Sequence, residues 1–531
     1  MPHPARTAVR TALPLALAVL ACVACTPDDP PTPSPTVTAS VTSTDGDVAP
    51  VTADVVVRGE ELTLEIGPVA VTDDVGVLRV AGPKDASLQT ELWDVLVSQT
   101  PGANGVRLVD LTQGTVSLPA RTEDDRVVAS WVRSVGGPAT DAAAESAGDE
   151  TEVLYVAFAA PTTTTVDVLL PGGGGLVEEV PVVDAQDAGV LTVPASEIQE
   201  DAVATTPVAT LDTYTEQVGG QVRTRSTAQT VTVAVGSDVL FDVDSADLGP
   251  QSDAALTAAA QQVGAYDGGT LWVVGHTDDV ADEAYNQGLS ERRAQAVADR
   301  LRSLADLGGL EVSVQGRGES EPAASGTSAE ARAANRRVEL VLTTEQEQVA
   351  QTPEPPAGAL PETTGPVVAG QDAVTIDSGN GVPVDVRVRE LRRVGRFLVG
   401  SLEVTNTAGP DAAAGTLFAT GAWDARGSFD ASLQQAATNV TLLRGDLRLY
   451  PVDYLMAEDR RDPLSDRVIY GPEPRQSILV TVVWPDPDPG ADEVVVDSPA
   501  QAKEVTESVS VDLGVQPFRI TDVPVTEAPE D

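Results

Sequence analysis

Cysteine, histidine, lysine and aromatic residues are all scarce in this 531-residue chain. The two cysteines, Cys22 and Cys25, both lie at the end of an N-terminal apolar run, so no disulfide framework supports the folded parts, which must hold through their cores. Of the two histidines, only His276 lies beyond the leader. A structural zinc site needs four ligands and a catalytic one three plus water, and His276 beside Asp278 and Asp279 falls short, so neither a metal nor any other cofactor is expected. Without a Cys–His pair or a Gly-x-Ser-x-Gly turn, no nucleophilic mechanism assembles, and the chain reads as a non-enzyme. An aromatic content of 3% excludes the two aromatic girdles of a membrane β-barrel. Lys84 and Lys503 are the only lysines, and 81 acidic residues against 33 basic ones give a net charge of −48. Such a surface repels phosphate backbones, so nucleic acid is not a partner.

What is present falls into segments. Residues 1–25 read as an export signal, with Arg6 and Arg10 ahead of an apolar run too short for a comfortable membrane span. Val19-Leu20-Ala21-Cys22 resembles a lipobox, which makes Cys22 the candidate lipidation site and N-terminal membrane anchor; Cys25 is the alternative. Residues 26–50, rich in Pro, Ser, Thr and Asp, cannot bury a core and read as a tether. Residues 51–200 alternate short apolar runs with turn residues, the pattern of a β-sandwich. Residues 201–224 are polar and read as a connector, 225–345 alternate strand and helix patterns, 346–372 form a Pro-rich linker, and 373–531 return to sandwich-like alternation. The outer modules also resemble each other: 104–126 aligns with 439–461, and LYVAFAAP at 154–161 with ILVTVVWP at 478–485.

The middle segment carries the chemistry. An apolar run, Leu271–Val274, stops at Gly275-His276-Thr277-Asp278, and a helix is expected from about Tyr285 to Ala305. Leu289, Arg293, Val297 and Leu301 recur every four residues on it, placing one arginine inside an apolar stripe. Asp278, at the mouth of the preceding strand, is its nearest candidate partner. The pair is either a salt bridge that orders the loop or two jaws of a cleft, Asp278 for an ammonium and Arg293 for a carboxylate. Gly275, Gly316 and Gly318 are read as turn residues beside that cleft, and one of Arg336 and Arg337 is expected to pair with Glu319.

GHTD at 275–278, YNQGLSERRAQAV from Tyr285, GRGESEP at 316–322 and NRRVE at 335–339 resemble, in order and spacing, the OmpA-like C-terminal domain, the peptidoglycan-associating module of bacterial envelope proteins. The resemblance covers about residues 225–345. It implies a central α+β domain of βαβαββ type with helices on one sheet face, flanked here by two mainly-β, Ig-like sandwich modules in a multidomain chain. It also implies non-covalent binding of the diaminopimelate-containing stem peptide of peptidoglycan. Carried over residue by residue, Asp278 and Arg293 match the pair that grips the free amino-acid end of diaminopimelate, and Asn286, Phe241 and Asp242 match positions lining the same cleft. The expected protein is an exported, lipid-anchored envelope protein, at the outer membrane or the outer face of the plasma membrane, that links membrane to wall. The alternative is an adhesion or protein-interaction scaffold working through the sandwich modules, with the central domain only as a mooring.

Overall fold

The computed structural model describes residues 39–41, 48–94, 102–129, 151–187, 203–219, 222–264, 266, 268–324, 326–344, 358–418, 428–429, 436–457, 460–486, 488–500 and 515–527. Cys22 and Cys25, the tether up to Thr38 and the first part of the Pro-rich linker lie outside the described residues. No helix among the described residues is long and apolar enough to cross a membrane.

In the central segment, strand β1 (Thr230–Gly236), helix α1 (Ser252–Gly264), β2 (Gly269–His276), α2 (Glu283–Leu304), β3 (Leu310–Gly318), α3 (Ala329–Asn335) and β4 (Arg337–Thr343) follow in order. The sheet runs β1-β4-β2-β3, with β2 and β3 parallel and the other pairs antiparallel. Period-two alternation turns Val231, Val233 and Val235 of β1 and Val338, Leu340 and Leu342 of β4 inward. Against them α1 lays Leu256, Ala260 and Val263, and α2 lays Val297 and Leu301, all in one core. Asp282 caps α2 by accepting from the amide of Tyr285, which starts that helix abruptly where the polar loop ends. The apolar run Val239–Phe241, whose sequence reads as strand, instead follows a different course: Ser237–Leu240 is a single helical turn closed by the Phe241 amide on the Ser237 carbonyl. Leaving the sheet there lets Leu240 enter the core beneath α1.

The outer segments share a pairing plan. Val51–Val57, Glu60–Thr72, Val75–Pro83 and Thr151–Ala159 pair antiparallel in succession, as do Val374–Asp377, Pro383–Val394, Phe397–Asn406 and Ser477–Pro485. Arg107–Asp110 pairs with Thr115–Ser117 and with Thr165–Leu170; Thr441–Arg444 pairs likewise with Leu447–Leu449 and Glu493–Ser498. In each module the last strands close back in parallel onto the second: Gly175–Asp184 onto Glu60–Thr72, and Thr526–Glu527 onto Pro383–Val394.

Residues 203–219, expected to connect, instead hold a strand, Val208–Gln217. It pairs with Thr115–Ser117 of the first module, with Leu447–Leu449 and Asp453–Ala457 of the last, and with Val222–Ser226, which leads into β1. Leu211 and Tyr214 are buried there among polar neighbours, which is why composition alone suggested a linker. Ala209 and Leu211 join Val109, Val116, Leu169 and Leu176 of the first module and Phe397, Val399, Val452, Tyr454 and Val483 of the last in one apolar cluster. Across this seam, Arg461 Nε donates to Asp212 Oδ2 at 2.8 Å and Arg107 Nη1 to the Leu464 carbonyl at 3.0 Å. The two outer modules are thus fused through a shared core, and the central domain is inserted between them in sequence.

Candidate functional site

The site forms where β2 ends, α2 begins and the loop after the Ser237–Leu240 turn folds over. Helix α2 can lie this close to the sheet because of glycine: a Cβ on Gly275 would stand 2.2 Å from the Ser290 carbonyl oxygen, and one on Gly316 2.5 Å from Ser290 Oγ. These residues are needed for helix-to-strand approach rather than for the turns expected above.

That approach buries Arg293 to 5% exposure. Its Nε donates to the Ser245 carbonyl at 2.9 Å, and its guanidinium lies 5.2 Å from the centroid of the buried Phe241 ring. Among the described residues neither Nη group of Arg293 has a hydrogen-bond or ion-pair partner. Burial lowers its pKa, and Asp238 and Asp244 oppose that shift from a distance, with Asp278 contributing less. Arg293 is therefore a largely buried cation whose Nη groups are open to a ligand or to water and not sealed in the interior.

Asp278 does not pair with Arg293. Its Oδ2 accepts from Arg336 Nη1 at 2.9 Å, while its Oδ1 has only a long 3.4 Å contact with the Val280 amide. Arg336 also grips Asp238 two-pronged, Nε to Oδ1 at 3.0 Å and Nη2 to Oδ2 at 2.7 Å. This bidentate bond raises the Arg336 pKa and lowers that of Asp238. The expected pairing of Arg336 or Arg337 with Glu319 is not what forms. Arg337 Nε donates to Glu339 at 2.6 Å, two residues along the same strand face, and Glu319 instead accepts from Asn286 Nδ2 at 2.6 Å.

Asn286 is buried, and its Nδ2 also reaches the carbonyls of Asp278 and Ala281 at 3.1 and 3.3 Å. It fastens the Asp278 loop to α2. Phe241 forms the floor under Arg293, and Asp242 is exposed on the loop that follows it. The structure thus gathers Asp278, Arg293, Asn286 and Phe241 in one neighbourhood and leaves Asp242 on its rim. Sequence reasoning missed Asp238, the bidentate role of Arg336, and Tyr285, whose hydroxyl donates to Asp244 Oδ1 at 3.1 Å and ties the first turn of α2 to the loop after Phe241. A helical reading of Ser237–Leu240 was the signal that could have found Asp238.

His276, at the end of β2, is buried with Nε2 3.5 Å from Glu339 Oε2. Burial pushes the Glu339 carboxyl up, but His276 and Arg337 together bring it down to about 2. Among the described residues no cluster of three or more His, Cys, Asp or Glu side chains is placed to hold a metal ion.

The OmpA family matches residues 240–336, inside the central domain. Over 113 residues, 21% of this chain and 32% of the relative, the sequence is 43% identical to outer membrane porin F of Pseudomonas aeruginosa. Over 110 residues, 21% of this chain and 56% of the relative, it is 41% identical to outer membrane protein A of Bordetella avium. Among solved structures, the cell wall anchor of the T6SS from Pseudomonas aeruginosa aligns at 33% identity over 24% of this chain and 90% of that one, with a TM-score of 0.22. The chain spans less than two thirds of the length of the curated relatives it matches.

Proposed function

Residues 240–336 are an OmpA-family domain, and from that premise we propose that the chain is a non-catalytic envelope protein that binds peptidoglycan and ties the cell envelope to its wall. The ligand is the diaminopimelate-type stem peptide. Its free carboxylate takes the unused Nη donors of Arg293, and its ammonium takes Asp278, whose Oδ1 has no close partner. Asn286 holds the Asp278 loop in place, Phe241 supports Arg293 from below, and Asp242 adds negative charge at the rim. The observation that carries this reading is the largely buried guanidinium of Arg293 with no contact ion pair among the described residues, because a structural salt bridge would have closed on Asp278 and it has not. A lipid on Cys22, or on Cys25, would supply a second attachment. Modest affinity at one site then becomes firm retention on a polyvalent wall. The outer modules, strand-rich and paired in sheets, serve in this reading as an Ig-like sandwich pair that presents the wall-binding domain and offers surface to a protein partner.

Pull-down of the full chain on diaminopimelate-type peptidoglycan tests the reading. Asp278→Ala and Arg293→Ala are each expected to remove binding while circular dichroism is preserved. Undiminished pull-down by the folded double variant would refute it.

A further inference from the structure

A second concave site lies away from the central domain, where the first and last modules meet. It is a cavity of about 320 Å³ whose lining includes Trp93, Pro171, Gly172, Asp466, Arg467, Tyr470 and Leu479. Its wall exists because the Pro171–Gly175 turn docks on the last module through bare backbone. Gly172 and Gly173 donate their amides to the two oxygens of Asp466, at 3.0 and 3.1 Å. Gly173 has a φ of +81°, and a Cβ there would stand 2.0 Å from the Leu479 carbonyl oxygen. The cavity is therefore built into the fusion of the two modules.

Its chemistry is mixed. In a chain with 3% aromatics, Trp93 and Tyr470 both line it, and Tyr470 is 58% exposed. Arg58 uses Nε and Nη2 on the carbonyls of Glu91 and Trp93, and Arg467 uses Nε and Nη1 on Asp94 and Asp462. No described residue takes Arg58 Nη1, Arg467 Nη2, or the side chains of Glu473 and Gln476, all of which belong to lining residues. Two guanidinium groups are set against the three carboxylates of Asp94, Asp466 and Glu473, so neither a strongly anionic nor a strongly cationic ligand is favoured. A neutral ligand with many hydroxyls and one apolar face satisfies all of these at once. The volume is at the lower end of the roughly 300–1,000 Å³ typical of small-molecule sites.

We propose that this inter-module pocket binds a saccharide of one or two rings, laid with its C–H face on Tyr470 and its hydroxyl edge against Arg58, Arg467, Glu473 and Gln476. The aromatic face supplies the apolar contact, and the free donors and acceptors fix the ring's orientation. This site is independent of the stem-peptide cleft and does not need that reading to hold.

The test is calorimetric titration of the full chain with two probes, an N-acetylglucosamine tetramer and a maltose-type glucose tetramer. Saturable binding of at least one is expected. Tyr470→Ala, at an exposed position, should weaken it roughly tenfold, and Glu473→Gln should weaken it severalfold. Asp278→Ala, which disables the stem-peptide cleft, should leave it unchanged, so failure of one site is distinguishable from failure of the other. Absence of binding for both probes, or an affinity that Tyr470→Ala leaves untouched, overturns the proposal.

Discussion

Replacing Arg293 by methionine separates a binding arginine from a structural one. In the free protein the side chain gives one hydrogen bond to the Ser245 carbonyl and one face to Phe241. Losing the first costs about 1.5–3 kcal/mol for a charged donor, and losing the second about 0.5–2 kcal/mol. Against this stands the relief from desolvating a guanidinium whose Nη groups are unmatched, on the order of several kcal/mol, while methionine replaces a stem that is already buried and adds little. The terms offset, so Arg293→Met should leave the central domain within about 1 kcal/mol of its original stability or slightly above it. An arginine that closed a buried salt bridge would instead cost about 3–5 kcal/mol when removed. Amide hydrogen exchange along α2 reports the opening free energy of this domain alone. Binding should behave oppositely, because losing one partner of a desolvated charge pair costs about 2–5 kcal/mol, at least thirtyfold in affinity. Loss of several kcal/mol in α2, or retention of peptidoglycan binding, would refute the argument.

Glu339 titrates at about 2 when folded against 4.5 for the ordinary carboxyl. Its depressed value stabilises the fold above the unfolded pKa, so about 3 kcal/mol should drain away as pH falls from near 5 towards 2, and acid titration of Glu339→Gln should show a flatter profile. Gly275→Ala forces a methyl against the Ser290 carbonyl. It should destabilise the central domain by about 1–3 kcal/mol and weaken wall binding by shifting Arg293, both read on the same purified protein. Arg461→Ala removes the shorter of two guanidinium contacts to the buried Asp212 carboxylate at the seam, leaving Arg225 at 3.5 Å. It should cost about 1.5–3 kcal/mol and expose both outer modules to protease together, where independent modules would leave the first one resistant.

Much of the central domain was legible because its elements obey clean periods. Four-residue spacing set α2 within two residues of its observed ends, and it put Arg293 on the buried face of that helix, where the structure has it. The partner of that arginine was not legible. Asp278 and Arg293 were the obvious opposite charges, yet Arg336, at the end of α3, outcompetes Arg293 for the carboxylate by adding a second, bidentate partner in Asp238. Three consecutive apolar residues at Val239–Phe241 suggested a strand, which hid Asp238. Val208–Gln217 was missed for a different reason: a strand flanked by other strands, with Asp212 accepting from Arg461 and the Tyr214 carbonyl from the Tyr450 amide, needs little hydrophobicity of its own.

Both ends of the central insertion arrive at the same small hairpin turn. Val218 donates its amide to the Asp446 carbonyl at 2.7 Å on the way in, and on the way out a Cβ on Gly445 would lie 2.5 Å from the carbonyl oxygen of Gly358. The central domain nevertheless has more than this one attachment: Val222–Ser226 pairs with the seam strand Val208–Gln217 and Tyr266 faces Arg396 of the last module, so excising residues 219–358 bares the edge of that strand. Shortening the chain from its C-terminus takes away half of the common floor on which the first module rests.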